Sequence, residues 1–200
     1  MNAPLSQRIA AAAARLVVED GLEYGAARQK AAREFGGRRV RPGDLPRHET
    51  IEDEVLAYIS TFLADTQPIE LRAQRELALR WMKRLRAHRP HLSGAVWRGT
   101  ATRHSAILIE LYCDDPKSAE IDLINQGIDY DAAGHDVGDG AGPLVLTVAD
   151  RAPELDEPVT LHLLLRDFDD LRGALQTDSR GRSWRGDLAA VERELEASAR

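Results

Sequence analysis

The stretch "GAVWRGTATRHSAILIELYCDD", Gly94–Asp115, decides how the chain is read. Two glycines, Gly94 and Gly99, bracket a short segment that runs on through Thr100, Thr102 and Ser105. Glycines admit positive φ and close backbone approach, so successive N–H groups in such a loop point at a phosphate, and small hydroxyls add donors. The run that follows, "AILIELYC", is β-prone and reads as a strand. Side chains two apart on a strand share a face, so Ala106, Leu108 and Glu110 line up, with Glu110 about 7 Å beyond Leu108.

Upstream of this stretch the pattern is helical. Ile9, Ala13, Leu16 and Val17 recur at helical spacing over Leu5–Asp20, and Gly21 fits a helix stop. A second helix is expected over Tyr24–Phe35, ending at Gly36-Gly37. "RRVRPGDLPRHET" is a basic linker broken by Pro42, Gly43 and Pro46. "TIEDEVLAYISTFLADT" begins with Thr50 as N-cap and acids in its first turn, and Ile51, Val55, Tyr58, Ile59 and Phe62 form its apolar stripe. Pro68 opens a further helix with Leu71, Ala78, Trp81, Met82 and Leu85 on one face, and Pro90 ends it.

Downstream, "AEIDLI", "PLVLTVAD" and "VTLHLLLRD" read as further strands. "DDPKS" is the turn before the first of them, and "YDAAGHDVGDGAG" is a Gly/Asp loop. "DDLRGAL" and "GDLAAVERELEASA" close the chain as helices, the last capped by Asp187. Helices, then strands, then helices indicate an α+β fold with a mixed or mostly antiparallel sheet flanked by helices. The expected division is a helical extension and basic linker over residues 1–47, then one α+β domain over 48–200.

Composition limits the functions on offer. With 43% apolar and 30% charged residues the chain can bury a core. No apolar run approaches the roughly 20 residues that span a bilayer. The single cysteine, Cys113, cannot form an internal disulfide, and the N-terminus lacks an export signal's apolar segment; a cytoplasmic protein is the expectation. The net charge of −6 hides segregation: residues 66–104 carry nine Lys/Arg against two Asp/Glu, and residues 105–170 three against sixteen. This implies either an oriented field or two parts that attract each other.

Taken together, Gly94 through Ile109 resembles the active-site loop of the nucleotidyltransferase superfamily, the DNA-polymerase-β-like fold, and its small kanamycin-nucleotidyltransferase-like domains. Gly94 and Gly99 match the two family glycines at the family spacing. Thr100, Ala101 and Thr102 match the segment after them, and Ser105 the serine before the carboxylates. The helix carrying Trp81 and Leu85 falls where the family has the helix that leads into the loop. The resemblance implies a nucleoside triphosphate held by Gly94, Gly99, Thr100, Thr102 and Ser105, with Arg98 and Arg103 compensating charge. It also implies Mg²⁺ on two strand carboxylates, and here this sequence departs. Those positions are Ala106 and Leu108, and the family serine after the first glycine is Ala95. Two readings follow: a degenerate nucleotidyltransferase-fold protein that binds a nucleotide or partner without catalysis, or an active enzyme with Glu110 and Asp122 as relocated catalytic and Mg²⁺-binding carboxylates.

The N-terminal "AAAARLVVEDG" and "KAAREFGG" resemble more distantly the first two helices of tetracycline-repressor-type DNA-binding domains, through Ala13, Leu16, Gly21, Ala31, Ala32 and Gly36. The linker after them cannot form the recognition helix such a domain needs. A third reading is therefore a nucleic-acid-associated regulator using the basic segments 28–47 and 72–103, with Arg38, Arg39 and Arg41 on phosphates; the alternative for the two helices is a packing hairpin. His88 and His91 lack a ligand cluster around them, Ser105 beside His104 is no triad, and no GxxxxGK[ST] loop is present.

Overall fold

The computed structural model describes residues 3–36, 40–134 and 144–198. The chain divides into two compact units, Met1–Leu71 with Thr100–Ser105, and Arg72–Gly99 with Ala106–Arg200. The first unit reaches Leu71 because the third helix completes the core of the first two.

In the first unit, α1 (Leu5–Asp20), α2 (Tyr24–Gly36) and α3 (His48–Phe62) enclose one apolar core. Ile9, Ala13 and Val17 of α1, Ala27 and Ala31 of α2, and Ile51 and Val55 of α3 are buried in it. The alanines let the helix axes approach closely, while the β-branched residues fill the space. Helix α1 stops where the sequence says it should: Gly21 takes φ 66° and its N–H donates to the Leu16 carbonyl. Helix α3 begins at His48, two residues before Thr50, and Arg47 at its N-cap supplies no side-chain hydrogen bond. The linker contributes a 3₁₀ turn at Pro42–Asp44, and Arg38 and Arg39 lie outside the described residues.

Helix α4 (Gln67–Arg84) starts in the first unit and continues in the second. The second unit is built on a five-stranded mixed sheet among the described residues, ordered β1-β2-β5-β4-β3. Its strands are β1 (His91–Ser93), β2 (Ile107–Cys113), β3 (Asp131–Gly134), β4 (Leu144–Asp150) and β5 (Val159–Asp167). Strand β2 is parallel to β5, and the other pairings are antiparallel. One face is apolar: Ile107, Ile109 and Leu111 of β2, Leu161, Leu163 and Leu165 of β5, and Leu146 and Val148 of β4 are all buried. The class is α+β, as the element order in the sequence implies.

Three local expectations are corrected. "AEIDLI" is not a strand but part of α6 (Pro116–Asn125). Its Asp115 side chain accepts from the Lys117 N–H, Pro116 sits in the first turn, and Ala119 and Leu123, four apart, are buried. A short helix, α5 (Gly94–Arg98), occupies the first half of the glycine-bounded loop. Part of the Gly/Asp loop pairs with β4 as β3, and residues 135–143 lie outside the described ones. The C-terminal segments form a 3₁₀ turn (Phe168–Asp170) leading into α7 (Leu171–Ala174), and α8 (Leu188–Ala197), whose N-cap Asp187 accepts from Ala190 N–H as expected.

Candidate functional site

In the second unit the glycine-bounded segment is the short helix α5, which follows β1 and precedes β2 in chain order. Gly94 opens α5 at φ 68° and Gly99 closes it at φ 81°, both left-handed values that favour glycine. Strand β1 lies antiparallel to β2, with His91 opposite Glu110 and Ser93 opposite Leu108. Directly opposed residues share a face, so His91, Ser93, Leu108, Glu110 and Tyr112 stand on the face opposite the apolar core. On β5 the same face carries His162, paired with Leu108, and Arg166, paired with Tyr112. His162 Nδ1 lies 3.0 Å from Thr147 Oγ1 on β4, and burial pushes the imidazole below its ordinary range. Leu108 and His162 are partly buried, while His91, Ser93, Glu110 and Tyr112 are buried, so this face is largely covered.

Glu110 dominates that face and is fully engaged. Its Oε2 accepts from Arg166 Nε at 2.8 Å and from the Tyr112 hydroxyl at 3.0 Å, and Arg185 Nε lies 2.8 Å away as an ion pair. Burial alone would raise this carboxyl, but Arg185, Arg166 and Tyr112 more than offset it and hold it below the usual carboxylate range. An acceptor shared by two guanidiniums and a phenol is a structural anion. Arg166, Arg185 and Tyr112 are the partners that sequence reasoning missed.

Asp122 stands elsewhere, on α6, where His88 Nε2 lies 2.7 Å from its Oδ2. The same imidazole approaches Cys113 Sγ at 3.6 Å, and Cys113 belongs by alternation to the face opposite Glu110. Glu110 and Asp122 are therefore not brought together. A magnesium site of the family kind does not fit these residues: Ala106 and Leu108 offer no oxygen, and the one acid in line with them is already neutralised. No cluster of three or more His, Cys, Asp or Glu is arranged to hold a metal ion among the described residues.

The phosphate-binding expectations also meet occupied groups. Arg98 Nη2 donates to Asp178 Oδ2 at 2.7 Å, with the two side chains 3% and 0% exposed, and its guanidinium lies 4.3 Å from the Trp184 ring centroid. Arg75 donates to the carbonyls of Val96 and Trp97 at the end of α5, and Trp97 Nε1 to Ser183. These contacts staple α5 and the Asp178–Trp184 loop together. Thr100, Thr102, Arg103 and Ser105 belong to the first unit. The Thr100 hydroxyl lies 2.6 Å from the Tyr24 hydroxyl, and Thr102 Oγ1 donates to the Val18 carbonyl at 3.0 Å. Ser105 Oγ accepts from Thr102 N–H at 3.1 Å. A phosphate cradle needs donors turned outward, and these hydroxyls are buried and turned to their own backbone and side chains.

The basic segment 72–103 is matched in part, since Arg80, Arg84 and Arg86 have no ion pair among the described residues. Within the second unit Arg72 pairs with Glu76, Arg75 with Glu194, Lys83 with Glu192, Arg89 with Asp114 and Arg98 with Asp178. The exposed pairs among these add little stability, and together the pairs offset part of the positive charge that the sequence order displays. No helix among the described residues is long and apolar enough to cross a membrane. Comparison with protein-family models, curated proteins and solved structures yields no match.

Proposed function

We propose that this chain is a nucleotidyltransferase-like protein that has lost metal-dependent transfer and acts by binding a partner. The observation that carries the reading is the state of the sheet face that holds Leu108 and Glu110. Two of the three aligned positions there are apolar, and the third, Glu110, is held between Arg166 and Arg185. Two-metal transfer needs free carboxylate oxygens to fix the cations against the triphosphate. A carboxylate in this ion-pair network could be released to a metal only by leaving two guanidiniums uncompensated, at a cost of several kcal/mol. The engaged hydroxyls of Thr100, Thr102 and Ser105 weigh further against triphosphate binding by that loop, and so favour a partner over a nucleotide.

Calorimetric titration with each nucleoside triphosphate, with and without Mg²⁺, tests the reading. Heats indistinguishable from dilution, and no release of pyrophosphate on long incubation, are expected. Saturable Mg²⁺-dependent binding that disappears in Glu110→Gln would instead establish an active enzyme with relocated ligands.

A further inference from the structure

The first unit contains a cleft of about 200 Å³ whose walls include Val18 and Glu19 of α1, Tyr58 of α3, Leu63, Arg103 and His104. Its walls are fixed by close contacts. Gly21 lies so near the His104 carbonyl that a Cβ there would come within 1.9 Å of the oxygen, and Thr102 Oγ1 ties the same loop to the Val18 carbonyl. Glu70, its side chain nine-tenths buried, grips Arg103 twice, through the backbone N–H at 2.9 Å and through Nε at 3.0 Å. That leaves both terminal guanidinium nitrogens of Arg103, and the His104 ring, without a partner among the described residues. Across the sequence from them, Tyr58 hydroxyl donates to Glu19 Oε1 at 2.8 Å, and no contact engages Oε2. The phenol first, and then Arg15, holds this carboxyl below its usual range, so it is an ionised acceptor at neutral pH.

One cleft therefore offers a fixed guanidinium with unused donors, a fixed carboxylate with an unused oxygen, and aliphatic wall from Val18 and Leu63. The ligand complementary to all three carries a cation, an anion and a small apolar group. The size agrees with a small ligand: at about 200 Å³ the cleft lies below the roughly 300 Å³ at which drug-sized sites begin. We propose that the cleft binds a free α-amino acid with a short aliphatic side chain, its carboxylate on Arg103 and His104, its ammonium group on Glu19 and its side chain on Val18 and Leu63. This concerns the first unit alone and stands whatever the second unit does.

The test is calorimetry on the full chain with L-leucine, and with two analogues that each lack one charge, 3-methylbutylamine and 4-methylpentanoate. Saturation by leucine at about 1 mM or below is expected, with each analogue at least about tenfold weaker, since every charged contact contributes about 1.4 kcal/mol or more. Glu19→Gln and Arg103→Gln should each weaken leucine by a similar factor. Glu19 is on the surface, so its variant keeps the fold, and circular dichroism verifies the Arg103 variant. Absence of saturable binding by leucine, valine or isoleucine overturns the proposal. So does equal binding of the analogues, or leucine binding unchanged in Glu19→Gln.

Discussion

Glu23 lies just before α2, partly buried, and its side chain finds no hydrogen bond or ion pair among the described residues. Burial alone pushes its carboxyl from 4.5 up to about 7. The difference, 7 − 4.5 or about 2.5, corresponds at 1.36 kcal/mol per pKa unit to about 3.4 kcal/mol as an upper bound. The sign follows from which state holds the proton. Between pH 4.5 and about 7 the folded protein keeps a proton that the unfolded chain releases, so stability falls as pH rises through this window. Below it both states are protonated, and above it the charge stays buried at full cost. Glu23→Gln removes the charge. Urea unfolding followed by far-UV circular dichroism should find the variant and the parent alike near pH 4.5, and the variant more stable by about 1–3 kcal/mol at pH 8. Tryptophan fluorescence provides a control, since Trp81, Trp97 and Trp184 all lie in the second unit. Parallel stability profiles for the two proteins across this range, or a variant weakened at pH 8, would refute the reasoning.

Three further outcomes are expected. Glu110→Gln leaves Arg166 and Arg185 facing each other without a counter-charge, and should lose about 3 kcal/mol or more in urea unfolding read by tryptophan fluorescence; an unchanged midpoint contradicts the structural role of that carboxylate. Gly21→Ala combines a left-handed φ with a Cβ 1.9 Å from the His104 oxygen, and should cost about 2 kcal/mol or more, read by circular dichroism. The Asp178 carboxyl would be raised by burial, but Arg98 and the N–H groups of Arg182 and Arg180 bring it down to about 2. Its contribution is complete above pH 3.8 and fades as pH falls toward 2, so Asp178→Asn should remove that part of the acid transition.

Much of the helical structure was legible because its signals are local. Helix α1 has a periodic apolar face and a glycine stop, and α8 has Asp187 at its N-cap. Helix α6 is hidden in the sequence because Ile121 and Ile124 are β-prone and the Asp115–Pro116 start also fits a turn, although it is the stronger signal for a helix. Strand β3 is a different failure: nothing in "DAAG" is strand-like, and only pairing with β4 makes it one. Strand β2 was readable, and so was the lack of acids at Ala106 and Leu108, whereas the helix inside the glycine-bounded segment was not. The partners of Glu110 were not, since Arg166 comes from β5 and Arg185 from the loop before α8. Nor does spacing reveal that Thr100 and Thr102 are bonded to Tyr24 and Val18, far earlier in the chain. Long-range pairing of side chains leaves no periodic trace in a sequence.

The account rests most heavily on the Leu108–Glu110 face of the sheet having no grip on a divalent ion. Paramagnetic broadening by Mn²⁺ in a ¹H–¹⁵N spectrum reads this directly. The parent chain should show no saturable, localised broadening of signals from Leu108, Glu110 and His162, and Ala106→Asp with Leu108→Asp should introduce it. Broadening centred on those three residues in the parent chain, saturating as Mn²⁺ is added, would contradict the account.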